Sequence, residues 1–547
     1  MNAQTLTRTA RHKLLVVKAL LETGMFEPTR PDRLAQSLSA LRSWGATPAG
    51  AYTGAAARYP DRVAVIDERG GLTFGQLHSR TNALARELRK AGISEGDGVA
   101  IMCRNHRGFV EATVACSKLG AGALYLNTAF AGPQITDVIR RENPVAVIYD
   151  EEFGGLVGEG AADRIRFVAW SEPRPGATDA GEGEVPTLER LIARGDASDL
   201  TPPVEKGRVV ILTSGTTGTP KGAQRQQSDS IEPAAALFSK IPLKARETTV
   251  IAAPMFHSWG FAHFLLSLPL LSTLVLRRKF DPEETLKAIS QHGASALVVV
   301  PVMLQRILAL PPETIARYDV RSLKVIAVSG SAFPGDLATH AMDTFGDIVY
   351  NLYGSTEVAW ATIATPEDLR AAPGTAGRPP LGTVVKLLDE QGREVAPGEV
   401  GRIYVANEFM FEGYTDGGNK EIVRGMMRTG DVGRLDAQGR LFVDGRDDEM
   451  IVSGGENVFP REVEDLLADH EQIEEVAVVG VDDAEFGQRL KAFVVPRNGN
   501  GLTQEEVQDY VKANLARFKV PRDVVFVNEL PRNATGKILK RELRTHT

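Results

Sequence analysis

The sequence predicts an α/β protein: a large multi-subdomain N-terminal domain with parallel α/β layers and a β-rich subdomain, then a small α+β C-terminal domain. Three observations predict it. Apolar runs of strand length alternate with helix-period segments through much of the first 400 residues. From about residue 384, short strands separated by turns such as DEQG and DAQG replace that alternation. The chain has 547 residues, too many for one hydrophobic core.

The elements follow in order. RTARHKLLVVKALLETG (8–24) has a basic flank and an apolar stretch, but Lys18 splits it and no small-residue cleavage site follows, so it does not read as a signal peptide. It reads as a short amphipathic helix ending at Gly24, packed on the body or touching a membrane surface. VAVID (63–67) is a strand before the helix LTFGQLHSRTNALARELRKAG, and GVAIMC (98–103) is a strand before FVEATVACSKLGA. AVIYD, RVVILT, TTVIAAP, SALVVVP and KVIAVSG continue the series of buried strands. TVVKLLD, VGRIYVA and VGRLDAQGRLFVDGR make the β-rich segment. REVEDLLADH, EEVAVVGVDD, KAFVVP, TQEEVQDYVKANLA and DVVFVN make the α+β tail. The expected divisions are an extension at 1–50, an N-terminal domain at 51–447 with its β-rich part at about 384–447, and a C-terminal domain at 448–547.

Composition excludes several classes. With 43% hydrophobic and 24% charged residues the chain is not largely disordered, and a net charge of −7 gives no bulk attraction to nucleic acid. Two cysteines, Cys103 and Cys116, form neither a disulfide framework nor a metal-type cluster, which fits reduced thiols in a cytoplasmic protein. The longest apolar run, FLLSLPLLSTLVL, is interrupted by Pro269 and is too short to span a bilayer.

Four segments carry chemistry. TSGTTGTPKG (213–222) directly follows the strand RVVILT. Its glycines let backbone amides approach an anion, its hydroxyls donate, and Lys221 adds a point charge, which suits a polyphosphate. It is not a Walker A loop, because Pro220 and Gly222 stand where that pattern needs Gly and Ser/Thr. NLYGSTEVAW (351–360) offers an aromatic for stacking, a threonine for a phosphate oxygen and Glu357 for Mg²⁺. In RTGDVGRLDAQGRLFVDGRDDE, Asp431 is read at a turn, where a carboxylate can pair with ribose hydroxyls, and Arg446 ends a strand. PRNATGKILKREL places Lys537 after Gly536 in a loop before a short helix. Each segment alone also reads as an ordinary loop, cap or surface turn.

Together and in this order, TSGTTGTPKG, YGSTE, RTGD…DGR, SGGEN and ATGK resemble the core motifs of the adenylate-forming superfamily: acyl-CoA synthetases, nonribosomal-peptide adenylation domains and luciferases. The resemblance spans roughly residues 50–547; LTFGQL and APMFHSWG resemble further family segments. It implies ATP, Mg²⁺ and CoA. Thr213, Ser214, Gly215, Thr216, Thr217, Gly218 and Lys221 would hold the ATP phosphates. Asn351, Tyr353 and Gly354 would frame the nucleotide, with Tyr353 on adenine, and Asp431 and Arg446 would bind the ribose. Thr356, Glu357 and Lys537 would be catalytic: Thr356 at the α-phosphate, Glu357 on Mg²⁺, and Lys537 on the attacking carboxylate and α-phosphate. Asp448 would be the hinge that makes the small C-terminal domain mobile, and Gly454 and Gly455 would border the CoA tunnel. Met426 and Met427 stand where the family often has an aromatic, so a small local repacking is expected.

The acid pocket implied by the resemblance is bordered by His257, Trp259, Val302, Gly330, Ser331 and Trp360, with Phe256 and Met303 in the same segments. No carboxylate among them could hold an amino group, so a fatty or aryl acid is expected rather than an amino acid. TGMFEPTRPDRL, CRNHRGFVEA and LNTAFAGPQ look similar to bacterial long-chain fatty acyl-CoA synthetases, which implies a medium- or long-chain fatty acid. An aryl acid, a carrier-protein acceptor, a luciferase-like oxidase and a non-catalytic nucleotide sensor are the alternatives. The sequence leaves oligomeric state open, a homodimer included.

Overall fold

The computed structural model describes residues 3–27, 29–172, 185–213, 221–225, 231–449, 451–453, 456–483, 487–497, 501–515, 519–533 and 536–545. Three helices come first: α1 (Ala3–Glu22), α2 (Pro31–Trp44) and α3 (Pro48–Arg58). Thr23 and Gly24 close α1, as its glycine stop predicts, and the Thr23 carbonyl accepts from the Ala245 amide at 2.8 Å. LTFGQL forms a helix N-terminus for a local reason. Thr73 Oγ1 accepts from the Gln76 amide at 3.1 Å while Gln76 Oε1 accepts from the Thr73 amide at 2.9 Å, a reciprocal capping box.

Two largely parallel sheets form the body. In the eight-stranded sheet, Val349–Tyr353, Val325–Val328, Ala296–Val299, Thr248–Ile251 and Thr273–Leu276 run parallel as neighbours. The early strand Val63–Asp67 joins this sheet beside Thr273–Leu276. The strands between them in sequence, Gly98–Met102, Gly122–Tyr125, Ala146–Asp150, Ile165–Trp170 and Val209–Thr213, build the seven-stranded sheet instead. Strands such as AVIYD and ALVV are buried at every position because helices cover both faces, and the one carboxylate among them, Asp150, is held by His106. The β-rich segment is a separate five-stranded sheet of Val384–Leu388, Gly401–Ala406, Met426–Leu435, Ile422–Val423 and Leu441–Arg446. Met427, standing where an aromatic was expected, is buried in that sheet's core. The tail has its own five-stranded sheet within residues 451–526, after a short helical turn at Asp447–Glu449.

Two readings of the sequence change. Asp431 is not at a turn: it sits inside the ten-residue strand Met426–Leu435, opposite Arg446 on Leu441–Arg446. Lys221 and Gly222, taken as the loop's end, open the strand Lys221–Arg225, which runs antiparallel to Val209–Thr213, and Gly413–Tyr414 adds to its far side.

Lys118 is fully buried and donates to Asn82 Oδ1 at 2.6 Å, Thr81 Oγ1 at 2.8 Å and the His78 carbonyl at 3.1 Å. Burial pushes its pKa down to about 7. The unfolded chain therefore binds the extra proton from about pH 7 up to its ordinary value near 10.5. Stability rises with pH across that window by up to about 1.4 kcal/mol per unit. Between pH 7 and 9 the urea midpoint of the wild type is expected to rise relative to that of Lys118→Met; parallel midpoints would refute it.

Candidate active site

The residues expected to border an acid follow the C-terminal ends of four adjacent parallel strands. His257 follows Thr248–Ile251, Val302 follows Ala296–Val299, Gly330 and Ser331 follow Val325–Val328, and Trp360 follows Val349–Tyr353. This edge is where open α/β sheets form ligand crevices. His257 contacts Asn127 Nδ2 through Nε2 at 3.4 Å, and burial pushes its pKa down to about 4, so the ring is neutral at pH 7. Trp259 donates its indole N–H to the Val299 carbonyl at 3.0 Å. Trp360 donates to Thr383 Oγ1 at 2.9 Å and stacks on Phe409 at 5.7 Å between centroids.

The turn after Tyr353 folds back tightly. A Cβ on Gly354 would lie 2.3 Å from the Ala359 carbonyl oxygen, so only glycine fits there. Glu357 is thereby brought beneath the loop 407–416. Its backbone oxygen accepts from the Phe411 amide at 2.7 Å, and its Oε1 accepts from the Tyr414 hydroxyl at 2.6 Å. Burial works against the charge of Glu357, but Tyr414, Ser355 and Lys420 outweigh it and hold the carboxyl below its ordinary value. Tyr414 also carries Lys221 Nζ over its ring at 5.3 Å, and Lys221 pairs with Asp416 at 3.0 Å. An ionised, mostly buried carboxylate suits a hard divalent cation.

A second cluster joins the β-rich sheet to the main sheet. The Tyr353 hydroxyl donates to Asp431 Oδ2 at 2.5 Å, and Arg446 lies 3.5 Å from Asp431 Oδ1. Burial raises the Asp431 pKa, opposed by Arg446, Tyr353 and Lys537. The charge of Lys537 is thus felt at the same cluster although it belongs to the tail. The approach is close: a Cβ on Gly536 would lie 2.3 Å from Val302 Cγ1.

The structure therefore brings together Tyr353, Glu357, Asp431, Arg446, Lys537 and Val302. Ser214, Gly215, Thr216, Thr217, Gly218, Gly454 and Gly455 lie outside the described residues, as do the side chains of Thr213 and Asp448. Sequence reading missed Tyr414, Asp416 and Asn407, whose Nδ2 donates to the Val358 and Trp360 carbonyls at 2.7 and 2.9 Å. Their segment, NEFMFEGYTD, carries no periodicity that could have flagged it.

One other cluster has metal-type residues among those described: Cys103, His106 and Asp150, all buried. His106 Nδ1 accepts from the Gly108 amide at 3.0 Å, so Nε2 carries the proton and donates to Asp150 at 2.8 Å. With both ring nitrogens committed, this is a structural network.

The fold and this site define an adenylate-forming acid–CoA ligase, with ATP and CoA as co-substrates. The chain belongs to the AMP-binding enzyme family: that family's pattern covers residues 53–415, and the AMP-binding enzyme C-terminal domain covers 462–537. It is 33% identical over 494 residues to a feruloyl-CoA synthase of an Amycolatopsis species, covering 89% of this chain and 96% of that one. It is 32% identical over 498 residues to an indoleacetate–CoA ligase of Aromatoleum aromaticum, covering 89% and 95%. Among solved structures it resembles o-succinylbenzoate CoA synthetase from Bacillus subtilis in complex with its acyl-adenylate intermediate (26% identity, TM-score 0.77, 91% of this chain and 98% of that one).

Proposed function

We propose that the chain adenylates an apolar carboxylic acid, first a medium- or long-chain fatty acid, and passes the acyl group to CoA. The observation that carries this reading is the set of residues gathered at the four strand ends. It includes Trp259, Val302 and Trp360, with a neutral His257 and no acidic residue. An aryl acid is the second reading. It is favoured by the feruloyl-CoA and indoleacetate–CoA ligases among the similar proteins.

In the first step an acid oxygen attacks the α-phosphorus of ATP and pyrophosphate leaves. A carboxylate is a weak, anionic nucleophile, so the step needs charge neutralisation and positioning. We assign Lys537 to the acid oxygen and α-phosphate, the loop Thr213–Lys221 to the phosphates, and Thr356 to the α-phosphate. Tyr353, with Asn351 and Gly354, frames the adenine, and Asp431 and Arg446 take the ribose. Glu357 would hold Mg²⁺, which when bound neutralises phosphate charge. The CoA sulfur then attacks the acyl carbon, the bond to the phosphate oxygen breaks and AMP leaves; this step would use the face bordered by Gly454 and Gly455 after rotation about Asp448. We place the protein in the cytoplasm, with α1 as its peripheral contact to a membrane surface.

The test measures pyrophosphate release and acyl-CoA formation over saturated fatty acids of rising length and over hydroxycinnamic and indole acids, with and without CoA. Fatty acids with the highest kcat/KM support the first reading, and aryl acids with the highest support the second. Pyrophosphate release with no thioester refutes CoA transfer.

Tyr414→Phe should leave the ring over Lys221 and remove one bond to Glu357. Losing a hydrogen bond to a charged group costs about 1.5 kcal/mol. The expected result is a roughly tenfold lower kcat and a higher Mg²⁺ requirement. An unchanged Mg²⁺ titration would show that Tyr414 does not position Glu357.

A further inference from the structure

The helices α1 and α2 lie before the family pattern, which begins at residue 53. Helix α1 has two opposed apolar faces. Val16, Ala19 and Leu20 are buried against the body. Leu14, Val17 and Leu21, spaced three and four residues apart on the other side, are 69%, 50% and 58% exposed. On the helical wheel, exposed Arg11 and Lys18 flank this outer stripe on one side and exposed Lys13 on the other. Lys18 also pairs with Glu22 at 3.7 Å. Helix α2 repeats the pattern with exposed Leu34, Leu38 and Leu41 and a basic Arg42 in its last turn.

Charge is segregated to match. Residues 1–45 hold seven basic and three acidic side chains, a net of +4, in a chain of −7, so the remainder carries −11. An apolar stripe between basic rows is the pattern of a helix lying in the plane of a lipid interface. Anionic headgroups match the basic rows while the acyl boundary takes up the apolar stripe between them. No helix among the described residues is long and apolar enough to cross a membrane.

Position adds a second observation. The inner face of α1 reaches Trp360, one of the residues expected to border the acid: His12 Nε2 lies 3.3 Å from Glu232 Oε2, and His12 and Val16 line a small cavity together with Trp360 and Leu381.

Resting on the peripheral contact proposed above, we infer that the outer face of α1, through Leu14, Val17 and Leu21 with Arg11, Lys13 and Lys18, docks on the headgroup region of an anionic bilayer. Docking sets the small cavity beside Trp360 about one helix diameter, ~10 Å, from the lipid. An acid partitioned in the leaflet would then have a short path to the site.

The test is co-sedimentation of the full chain with vesicles of phosphatidylcholine alone and of equimolar phosphatidylcholine and phosphatidylglycerol. Wild type is expected to bind the anionic vesicles at least ~tenfold more tightly than the neutral ones, with binding weakened by salt. Leu14→Glu/Val17→Glu/Leu21→Glu should lose that binding while pyrophosphate release with a water-soluble acid stays at the wild-type rate, showing that the fold is intact. Equal binding to both vesicles overturns the anionic assignment. A variant that still binds moves the contact to another face and overturns this one. No binding, with wild type dimeric and the variant monomeric, makes the face a junction between copies and overturns the lipid assignment. Absence of pyrophosphate release with every acid would refute the ligase reading and leave the vesicle result standing.

Discussion

Lys537→Ala is expected to lower acid-dependent pyrophosphate release about 10²–10³-fold, the scale seen when one preorganised charge-stabilising donor is removed. The side chain is exposed, so its loss should hardly change stability. The loop is held by other groups: the Gly536 amide donates to the Asn533 carbonyl at 2.9 Å, Arg532 donates to the Gly536 carbonyl at 2.5 Å, and Arg532 pairs with Glu475 at 2.8 Å. What disappears is a cation whose field reaches Asp431 across the two domains. Thioester formation from a supplied acyl-adenylate should continue, because the mechanism proposed above uses this charge only in the first step. If adenylation survives, or if both steps fall together, the assignment of Lys537 is wrong.

Gly536→Ala is expected to slow the same step about tenfold or more while leaving the lysine in place. Gly536 has φ +78°, a conformation that costs a non-glycine residue about 1 kcal/mol, and its added Cβ would meet Val302 Cγ1 at 2.3 Å. The neighbour is a branched side chain on a well-packed helix, so the cheaper response is for the tail to back away and carry Lys537 with it. Val302→Ala removes the colliding methyl and leaves the next atom at 3.3 Å. In a double-mutant cycle, Gly536→Ala should therefore cost less in the Val302→Ala background than in the wild type. Strict additivity would show that the contact does not govern docking of the loop.

Much of this was readable from the chain because strand burial and loop chemistry are local. ALVV and VIAV are apolar at every position, and AVIYD is polar only at its last residue, as doubly covered parallel strands tend to be. The helix stop at Gly24 is set by neighbours in sequence. Asp431 was misread because RTGD carries a turn-like glycine, while its place in a strand is fixed by pairing with Arg446. KGAQR holds one apolar residue, so no alternation marks it, and it is a strand only because Val209–Thr213 offers an edge. Tyr414 was invisible for the same reason: its partner Glu357 lies 57 residues away. The resemblance supplied roles but could not supply this hydroxyl.

The interleaving of the two sheets has a consequence for how the chain is made. Val65 pairs with Leu274 and Ile66 with Val275, while the strands from Gly98 to Arg225 go to the other sheet, which itself waits for Tyr414 to pair with Ala223. At synthesis rates of ~5–20 residues per second, the first strand waits roughly 10–40 s for its parallel neighbour. During that interval it has only the antiparallel strand Gly70–Thr73 beside it. The body should therefore gain its stability late and as one unit, with slow, long-range closure. A nascent chain halted between the sheets leaves both unfinished, whereas one halted at Asp447–Glu449 has every strand of the body already in hand.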